Sequence, residues 1–451
     1  MHVDITRDTF DPARHFSRVL MQQGRVPLDA DLNEQSSILL HYLRTLTADL
    51  LGPHAGPGGN GFKVGYTTQN GGTIAVGGPG RYYVNGLLCE IEGDQSIPAS
   101  QATRGGRSDA AAADGGAPPP LTYPFIVFME VWEQLVTAYH QPLLRETALG
   151  GPDTAARTQV MWRIRAEQLQ AGQGTCAAAW PAVLGGLGVA ADRNGLQVRA
   201  GGTSTDTLDP CVLPPDARYR GMENQLYRVE VHTRGDVGGA TPPTFKWSRE
   251  NGSVAFPIRS LSGVEVEVET LGLDPRLDLA PGDWVEILDD QRAGRGMLAR
   301  VADVDRDGLR VTLEDTDDDY PEYSEKHAVI HPLLRRWDQS DPVVLRGNDG
   351  TSATKGTLRD GAVEAVDAWI ELEAGIIVRF QPNKRYLEGD YWLIPARVAT
   401  GDVEWPRAAN GTDPAVVPAR RPERFYAPLG VVTAENTVND CRRTINKLVT
   451  P

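Results

Sequence analysis

No stretch of the 451-residue sequence is apolar for long enough to cross a lipid bilayer, so we expect no membrane insertion. The opening residues, which include His2, Asp4 and Arg7, lack the basic patch and apolar stretch of a secretory signal. We therefore expect the protein to fold in the cytoplasm.

Cysteine is scarce and dispersed. The four cysteines are Cys89, Cys176, Cys211 and Cys441, and no two of them lie close enough in sequence for a zinc knuckle. The eight histidines also never fall at ligand spacing on one element. We expect four buried thiols, as is usual in the cytosol, and a single bridge between Cys176 and Cys211 is the alternative.

The sequence also lacks the motifs of common enzymes. A GxSxG elbow, an HExxH helix, a phosphate loop and a dinucleotide fingerprint are all absent. Acidic residues are so abundant that a pair of glycosidase-type carboxylates could be drawn almost anywhere. We therefore predict no catalytic residue, no cofactor and no metal site, and a protein that is not an enzyme.

One segment matches a calcium-binding template. In residues 303–314, three aspartates are followed by Gly308 at the sixth position and by Glu314 at the twelfth. The flanking residues alternate like strands, whereas a calcium loop of this kind joins two helices. A turn at Asp307-Gly308 between two strands is the favoured interpretation, and calcium binding is the alternative.

Basic residues are outnumbered. The formal net charge is -15, with 60 acidic against 45 basic residues. Such a surface repels phosphates and anionic lipid headgroups, so we expect neither nucleic acid nor a membrane surface as a partner.

What the chain has in quantity is turn residues, 48 Gly and 32 Pro, between short alternating segments. This pattern predicts a mainly β, multidomain protein made of antiparallel β-sandwich or barrel units, with an N-terminal arm and one capped α-helix. Residues 154–170 fit either a helix or a strand. The predicted divisions are an arm and helix that form a docking element (1–56), a β-meander (57–100), a flexible linker (101–120), the first part of the main β domain (121–260), an inserted small β-barrel (261–326), and return strands with a C-terminal tail (327–451).

The predicted helix begins at an Asp31-Leu32-Asn33-Glu34 cap and ends at Gly52-Pro53. Leucines with a four-three-four spacing follow the cap, at positions 39, 43, 46 and 50. This spacing permits a short coiled coil, but it also suits an amphipathic helix that lies on its own protein. We favour the second interpretation.

Four segments, in order along the chain, resemble one bacterial family. They are residues 9–35 (which contain TFDP and FSRVLMQQGRVPLDADLNEQ), 148–158 (ALGGPDTAART), 244–254 (TFKWSRENGSV) and 389–397 (GDYWLIPAR). That family has no assigned activity and is encoded in clusters for phage-tail-like contractile injection systems. The first segment is also distantly similar to the start of phage baseplate and tail-fibre proteins. The chain departs from the family pattern at Pro27-Leu28, and residues 101–120 look like an insertion.

The resemblance implies a non-enzymatic structural component, associated with the baseplate or anchoring a fibre or spike. It implies baseplate, spike or fibre subunits as partners, release outside the cell within a particle, and a homo-oligomer such as a trimer. The expected partner-docking residues are Gln23, Gly24, Arg25, Asp29, Asp31, Asn33 and Glu34. Their charges would pair with a neighbouring subunit, or Arg25 and Asp29 would pin the arm to its own domain.

A carbohydrate-binding or carbohydrate-cleaving receptor module is the alternative function. Nine Trp and thirteen Tyr would be enough to line a sugar groove. Most of the tryptophans lie in apolar strands and are expected in the core. Exposed aromatic residues beside two carboxylates would favour this alternative, whereas an exposed apolar arm within residues 1–35 would favour a structural component.

Overall fold

The computed structural model describes residues 2–104, 121–187, 194–201, 218–272, 274, 276–290, 296–314, 320–324, 326, 330–347, 353–421 and 423–445. The chain forms two compact units. Unit 1 contains residues 1–8, 135–157 and 192–422, and unit 2 contains residues 9–134, 158–191 and 423–451. The backbone therefore passes between the units five times.

Strands hold 43% of the residues and helices 13%, so the predicted mainly β fold is confirmed. The strands of the first half are β1 (His54–Ala55), β2 (Val64–Thr67), β3 (Thr73–Val76), β4 (Gly80–Val84), β5 (Leu87–Ile91), β6 (Gln95–Pro98), β7 (Phe125–Val136), β8 (Arg157–Gln168), β9 (Gly195–Ala200), β10 (Gln225–Thr233), β11 (Gly235–Asp236), β12 (Thr244–Ser248), β13 (Ala255–Ser262), β14 (Glu265–Val268) and β15 (Trp284–Leu288). Those of the second half are β16 (Met297–Asp305), β17 (Arg310–Leu313), β18 (Leu333–Trp337), β19 (Val343–Arg346), β20 (Ala353–Gly356), β21 (Leu358–Arg359), β22 (Ala362–Glu364), β23 (Trp369–Glu371), β24 (Ile376–Phe380), β25 (Arg385–Tyr386), β26 (Tyr391–Arg397), β27 (Asp402–Val403), β28 (Val417–Pro418), β29 (Arg424–Ala434) and β30 (Thr437–Asp440).

The described residues form three α-helices, α1 (Asp29–Leu51), α2 (Ala99–Arg104) and α3 (Cys176–Gly186). The cap of α1 differs from the prediction. Leu28 precedes the first helical residue and makes no side-chain cap hydrogen bond, and Asp31 lies inside the first turn. An aspartate there still stabilises the helix, because its charge faces the positive end of the helix dipole.

Unit 2 contains small sheets rather than one meander. β1, β4 and β5 form one three-stranded sheet, and β2, β3 and β6 form another. The predicted hairpin turn joins β4 to β5, where Asn85 and Gly86 both have the positive φ that such a turn needs. The meander prediction is wrong at β3, which pairs with β6 instead of β4.

A four-stranded sheet with the order β30-β29-β7-β8 completes the core of unit 2. β7 presents buried side chains on both faces, with Phe125, Val127 and Met129 in one apolar cluster and Ile126 and Phe128 in another. Residues 154–170, which the sequence left open, include the strand β8. α3 packs beside this sheet. Of the predicted linker 101–120, residues 101–104 belong to α2 and the remainder lies outside the described residues.

A disulfide joins Cys176 of α3 to Cys441, with 5.5 Å between the Cα atoms. The expectation of free thiols at these positions is wrong, and so is the alternative bridge to Cys211, a residue that lies outside the described part of the chain. Cys89 is a buried free thiol, as expected. The two bonded cysteines are 265 positions apart, so only the fold brings them together.

Unit 1 is built on a β-sandwich. One sheet has the order β21-β22-β12-β10-β26-β27 and the other has the order β20-β19-β23-β24-β9-β28. Side chains from both sheets share one core, to which β10 contributes Tyr227, Val229 and Val231. The other face of β10 is also buried, as are both faces of β12.

A closed six-stranded barrel in unit 1 has the order β13-β14-β17-β16-β15-β18. It extends from Ala255 to Trp337 and is therefore larger than the predicted barrel at 261–326. β18 closes the barrel by pairing with both β13 and β15. The barrel has an apolar core of its own.

Candidate assembly surface

Residues 2–8 belong to unit 1 and are bound there. His2 Nε2 lies 2.9 Å from a carboxylate oxygen of Glu230, and the Asn251 side chain donates a hydrogen bond of 2.8 Å to the Val3 carbonyl. The segment that is available as an arm therefore begins at Thr9, where the chain enters unit 2.

Residues 9–28 form an arm that folds back along α1 and is extended except for a short 3-10 helix at Pro12–Arg14 and a turn at Gln23 and Gly24. The Thr9 hydroxyl donates to the carboxylate of Glu34 at 2.6 Å, and the Val19 backbone N–H donates to the Gln35 side chain at 2.9 Å. These contacts hold the arm to the first two turns of the helix.

The arm and α1 together expose many large apolar side chains, and we call this the arm–helix surface. Its members are Phe16, Leu20, Met21, Val26, Leu28, Leu32, Leu39, Leu40, Tyr42, Leu43, Leu46 and Leu50, with exposed fractions from 42% to 80%. The exposed areas of these side chains sum to an area on the order of 1,000 Å², spread over two neighbouring segments, whereas the largest contiguous apolar patch on a typical monomer is about 300 to 600 Å².

The leucines with four-three-four spacing belong to this surface. The side of α1 that faces the rest of unit 2 carries Ala30 and Ile38, both buried, and Arg44, whose guanidinium lies 2.7 Å from the carboxylate of Glu133. The favoured interpretation, in which the leucines pack on their own protein, is therefore wrong. Ala30, Ile38 and Arg44 make that contact, and the leucines point away from it.

The seven predicted docking residues lie in one continuous segment. Gln23, Gly24 and Arg25 form an exposed turn, in which the Arg25 backbone N–H donates to the Gln22 carbonyl at 3.3 Å. Asp29, Asp31, Asn33 and Glu34 follow in the first turns of α1, and Asp31 and Glu34 are half-buried. The prediction missed the neighbouring apolar side chains, although their heptad spacing was visible in the sequence.

Unit 1 contains a different feature, a buried charge cluster of Arg228, Glu230, Lys246, Glu286 and His2. Lys246 Nζ lies 2.5 Å from a Glu286 oxygen and 3.3 Å from a Glu230 oxygen. Arg228 lies 2.6 Å from the other Glu230 oxygen. Arg228 and Glu230 come from β10, Lys246 comes from β12 and Glu286 comes from β15, and all four are almost completely buried.

The charges of this cluster compensate one another. Burial alone raises the pKa of Glu230, but Arg228 and Lys246 outweigh it and hold that pKa well below its usual value. Lys246 acts in the same way on Glu286 and lowers its pKa. Burial, with Arg228, lowers the pKa of His2 well below its usual value. Such mutual pairing is typical of a structural element inside a protein.

A polar cleft of about 320 Å³ also lies in unit 1. Arg249 at its wall pairs with Glu373 at 2.9 Å and with Asp338 at 3.6 Å. Burial raises the pKa of Glu373, against the opposing effect of Arg249. The two tryptophans at the wall, Trp247 and Trp337, are 3% and 1% exposed, so neither offers a ring face to a sugar.

The segment that matches the calcium template is a β-hairpin between β16 and β17. Asp305 accepts the backbone N–H of Gly308 at 3.0 Å, and Glu314 pairs with Arg300 at 3.3 Å. Within the described residues, no group of three or more His, Cys, Asp or Glu side chains is placed to hold a metal ion. The turn interpretation therefore accounts for these residues.

The fold and this surface define a multidomain, mainly β protein with an exposed apolar helix and arm. The chain belongs to the family described as "Family of unknown function (DUF6519)", whose model matches residues 1–192 and 182–450. No curated protein and no solved structure matches the chain significantly. None of the helices in the described segments is long and apolar enough to cross a membrane.

Proposed function

We propose that this protein is a non-enzymatic structural component of a phage-tail-like contractile injection particle, associated with the baseplate or anchoring a fibre or spike. The observation that carries the proposal is the arm–helix surface. In an isolated chain this apolar area stays in contact with water. Binding to another subunit would bury the area, and the hydrophobic effect would stabilise the complex. The particle setting rests on the resemblance of four ordered sequence segments to proteins of such clusters.

The form of the surface suits docking. An extended arm followed by a helix is a common way to add to a neighbour's sheet edge or to fill its groove. The exposed turn at Arg25 precedes two aspartates, Asp29 and Asp31, so charged groups border the apolar side chains. Charges at the rim of an apolar contact give register and specificity more than affinity.

The alternative of a carbohydrate receptor module has less support. Among the described residues, the strongly exposed aromatic side chains are Phe16, Tyr42 and Tyr123. The first two belong to the arm–helix surface. The wall of the polar cleft instead carries buried tryptophan and carboxylates paired with arginine.

The disulfide supports a protein that leaves the cytosol. Disulfides persist in oxidising compartments and are rare in the cytosol of most organisms. We propose that the chain folds and assembles in the cytoplasm and that the Cys176–Cys441 bond closes once the particle is released.

The test is incorporation into the particle. In the organism that makes it, the chain would be replaced by an arm variant with Leu20→Asp, Met21→Asp and Val26→Asp, and particles would be purified by density gradient. We expect the wild-type chain to sediment with the particles and the arm variant to be lost from them. Thr45→Asp, on an exposed α1 position outside the arm–helix surface, is the matched control.

Substitution is a better choice than deletion of residues 1–35, because residues 2–8 are bound within unit 1. A wild-type chain that is absent from purified particles, or an arm variant that is incorporated as well as the wild type, would refute the proposal. Glycan binding by the free chain would then become the function to measure.

A further inference from the structure

The leucine stripe of α1 consists of Leu32, Leu39, Leu43, Leu46 and Leu50. The last four follow the four-three-four spacing of coiled-coil core positions, and Leu32 lies one heptad before Leu39. Their exposed fractions are 42% to 74%. α1 therefore presents a coiled-coil seam to solvent from Leu32 to Leu50, in which Ser36 takes the one polar core position.

The residues that flank the seam are almost uncharged. One side carries Asn33, Leu40 and Thr47, and the other carries Gln35, Tyr42 and Asp49. In a coiled coil the flanking positions set partner choice through their charges. Since Asp49 is the only charge there, a second copy of the same helix meets no row of like charges. A strongly charged partner helix would find almost no charges of opposite sign along this seam with which to pair.

The available area matches what a pair requires. The stripe with Leu40 and Tyr42 exposes about as much surface as four fully exposed side chains, on the order of 700 Å². A standard interface buries about 800 Å² on each partner, so pairing along the seam with a small contribution from the arm reaches that size.

We propose that α1 binds a second copy of itself, so that the chain self-associates through the leucine stripe of α1. The proposal deepens the proposed function, on which it rests for its setting, by naming the partner of the helix half of the arm–helix surface. The same patch then serves both partners, as in an isologous contact.

The experiment is light scattering coupled to size exclusion on the full chain across a dilution series. For the wild type we expect a mass that is a multiple of 49.0 kDa and that falls on dilution. A double variant, Leu39→Asp with Leu46→Asp, is expected to weaken self-association by about a hundredfold or more, because it places charges in the seam. Leu39→Gln with Leu46→Gln provides a milder second variant, and circular dichroism checks that each variant is folded.

Thr45→Asp adds the same charge to the same helix at an exposed position outside the seam, and it is expected to associate like the wild type. A wild-type chain that is monomeric at every concentration would overturn the inference. So would seam variants that are folded and associate like the wild type.

The outcomes also separate the two proposals. If the wild type is monomeric and the arm variant is lost from particles, self-pairing fails and the structural function stands. If the wild type associates through the stripe but is absent from particles, self-pairing stands and the particle function fails.

Discussion

The buried charge cluster of unit 1 predicts a large and pH-dependent effect of Lys246→Met. Lys246 compensates Glu230 and Glu286 together, and Glu286 is completely buried. Methionine fills a similar volume without a charge, so Glu286 would lose the cation that lies 2.5 Å from it, whereas Arg228 stays paired with Glu230. Arg335 also attracts both carboxylates, but it forms no ion pair with Glu286 as close as that of Lys246. Breaking a buried ion pair by removing one partner destabilises a protein by about 3 to 5 kcal/mol.

Other contacts of Glu286 do not replace the lysine. One carboxylate oxygen accepts the Gly296 backbone N–H at 2.9 Å, and the other accepts the Trp337 indole N–H at 2.9 Å. These donors are neutral and remain in the variant. The doubly substituted chain Lys246→Met with Glu286→Gln removes both charges, and we expect it to recover at least half of the lost stability.

The pH dependence gives a second signature. The pKa of Glu286 is lowered in the wild type, so its contribution to stability is present above the carboxyl pKa of the unfolded chain and is lost as the pH falls through the folded pKa. Without Lys246, burial raises that pKa. The deficit of the variant is therefore largest at neutral pH and shrinks as the pH falls below about 5.

The assay is hydrogen exchange by mass spectrometry in increasing urea, followed on peptides of β10 and β12. Lys355→Met is the control, because Lys355 is an exposed lysine of the same unit. A surface change of this kind is expected within about 0.5 kcal/mol of the wild type. If Lys246→Met costs no more than this control, or if its deficit is the same at all pH values, the cluster is not the closed ion network described above.

Three further predictions concern unit 2. Cys441→Ser opens the disulfide to Cys176, and because that bond closes a very long loop we expect a loss of about 3 kcal/mol or more, which thermal unfolding with and without reductant measures. Burial lowers the pKa of His54 to about 4, so the native state resists protonation of this side chain. The free energy of unfolding should therefore fall by about 2 kcal/mol between pH 6.5 and pH 4, and urea titrations of His54→Gln should show a smaller decline. Gly86→Ala places a Cβ 2.6 Å from the Arg44 carbonyl oxygen at a positive φ, so we expect more than about 1 kcal/mol of destabilisation in the same titrations.

The fold class could be predicted because it depends on local patterns. Alternating segments separated by glycine and proline indicate antiparallel strands, whatever the position of those strands in the folded protein. The barrel was found for the same reason, but its ends were missed. β13 begins before the predicted boundary and β18 lies beyond it, and only the closure of the barrel ties them to it.

The buried charge cluster could not be predicted. In β10, Arg228 and Glu230 alternate with Tyr227, Val229 and Val231, which is also the pattern of a strand with one face in water. What distinguishes the two cases is whether another element covers the polar face. Whether such a cover exists depends on residues that are distant in sequence. The pairing of Cys176 with Cys441 could not be predicted for the same reason.

The direction of the α1 leucines was equally undetermined. Heptad spacing shows that a helix has an apolar stripe, but the period is the same whether the stripe packs on its own protein or on another. The opposite side of α1 carries only a narrow buried contact, formed by Ala30 and Ile38 with Arg44 beside them.

The repeated passage of the chain between the units has a consequence for synthesis. β29, near the end of the sequence, lies between β7 and β30 in the main sheet of unit 2. During synthesis, the edge of β7 that will pair with β29 therefore stays unpaired until nearly 300 further residues have emerged from the ribosome. Unit 1 is complete in sequence before β29 appears, so the unit that carries α1 is the last to close. A chain that is interrupted before β29 leaves α1 on an unfinished unit, so the arm–helix surface is presented on a folded body only after β29 and β30 have been made.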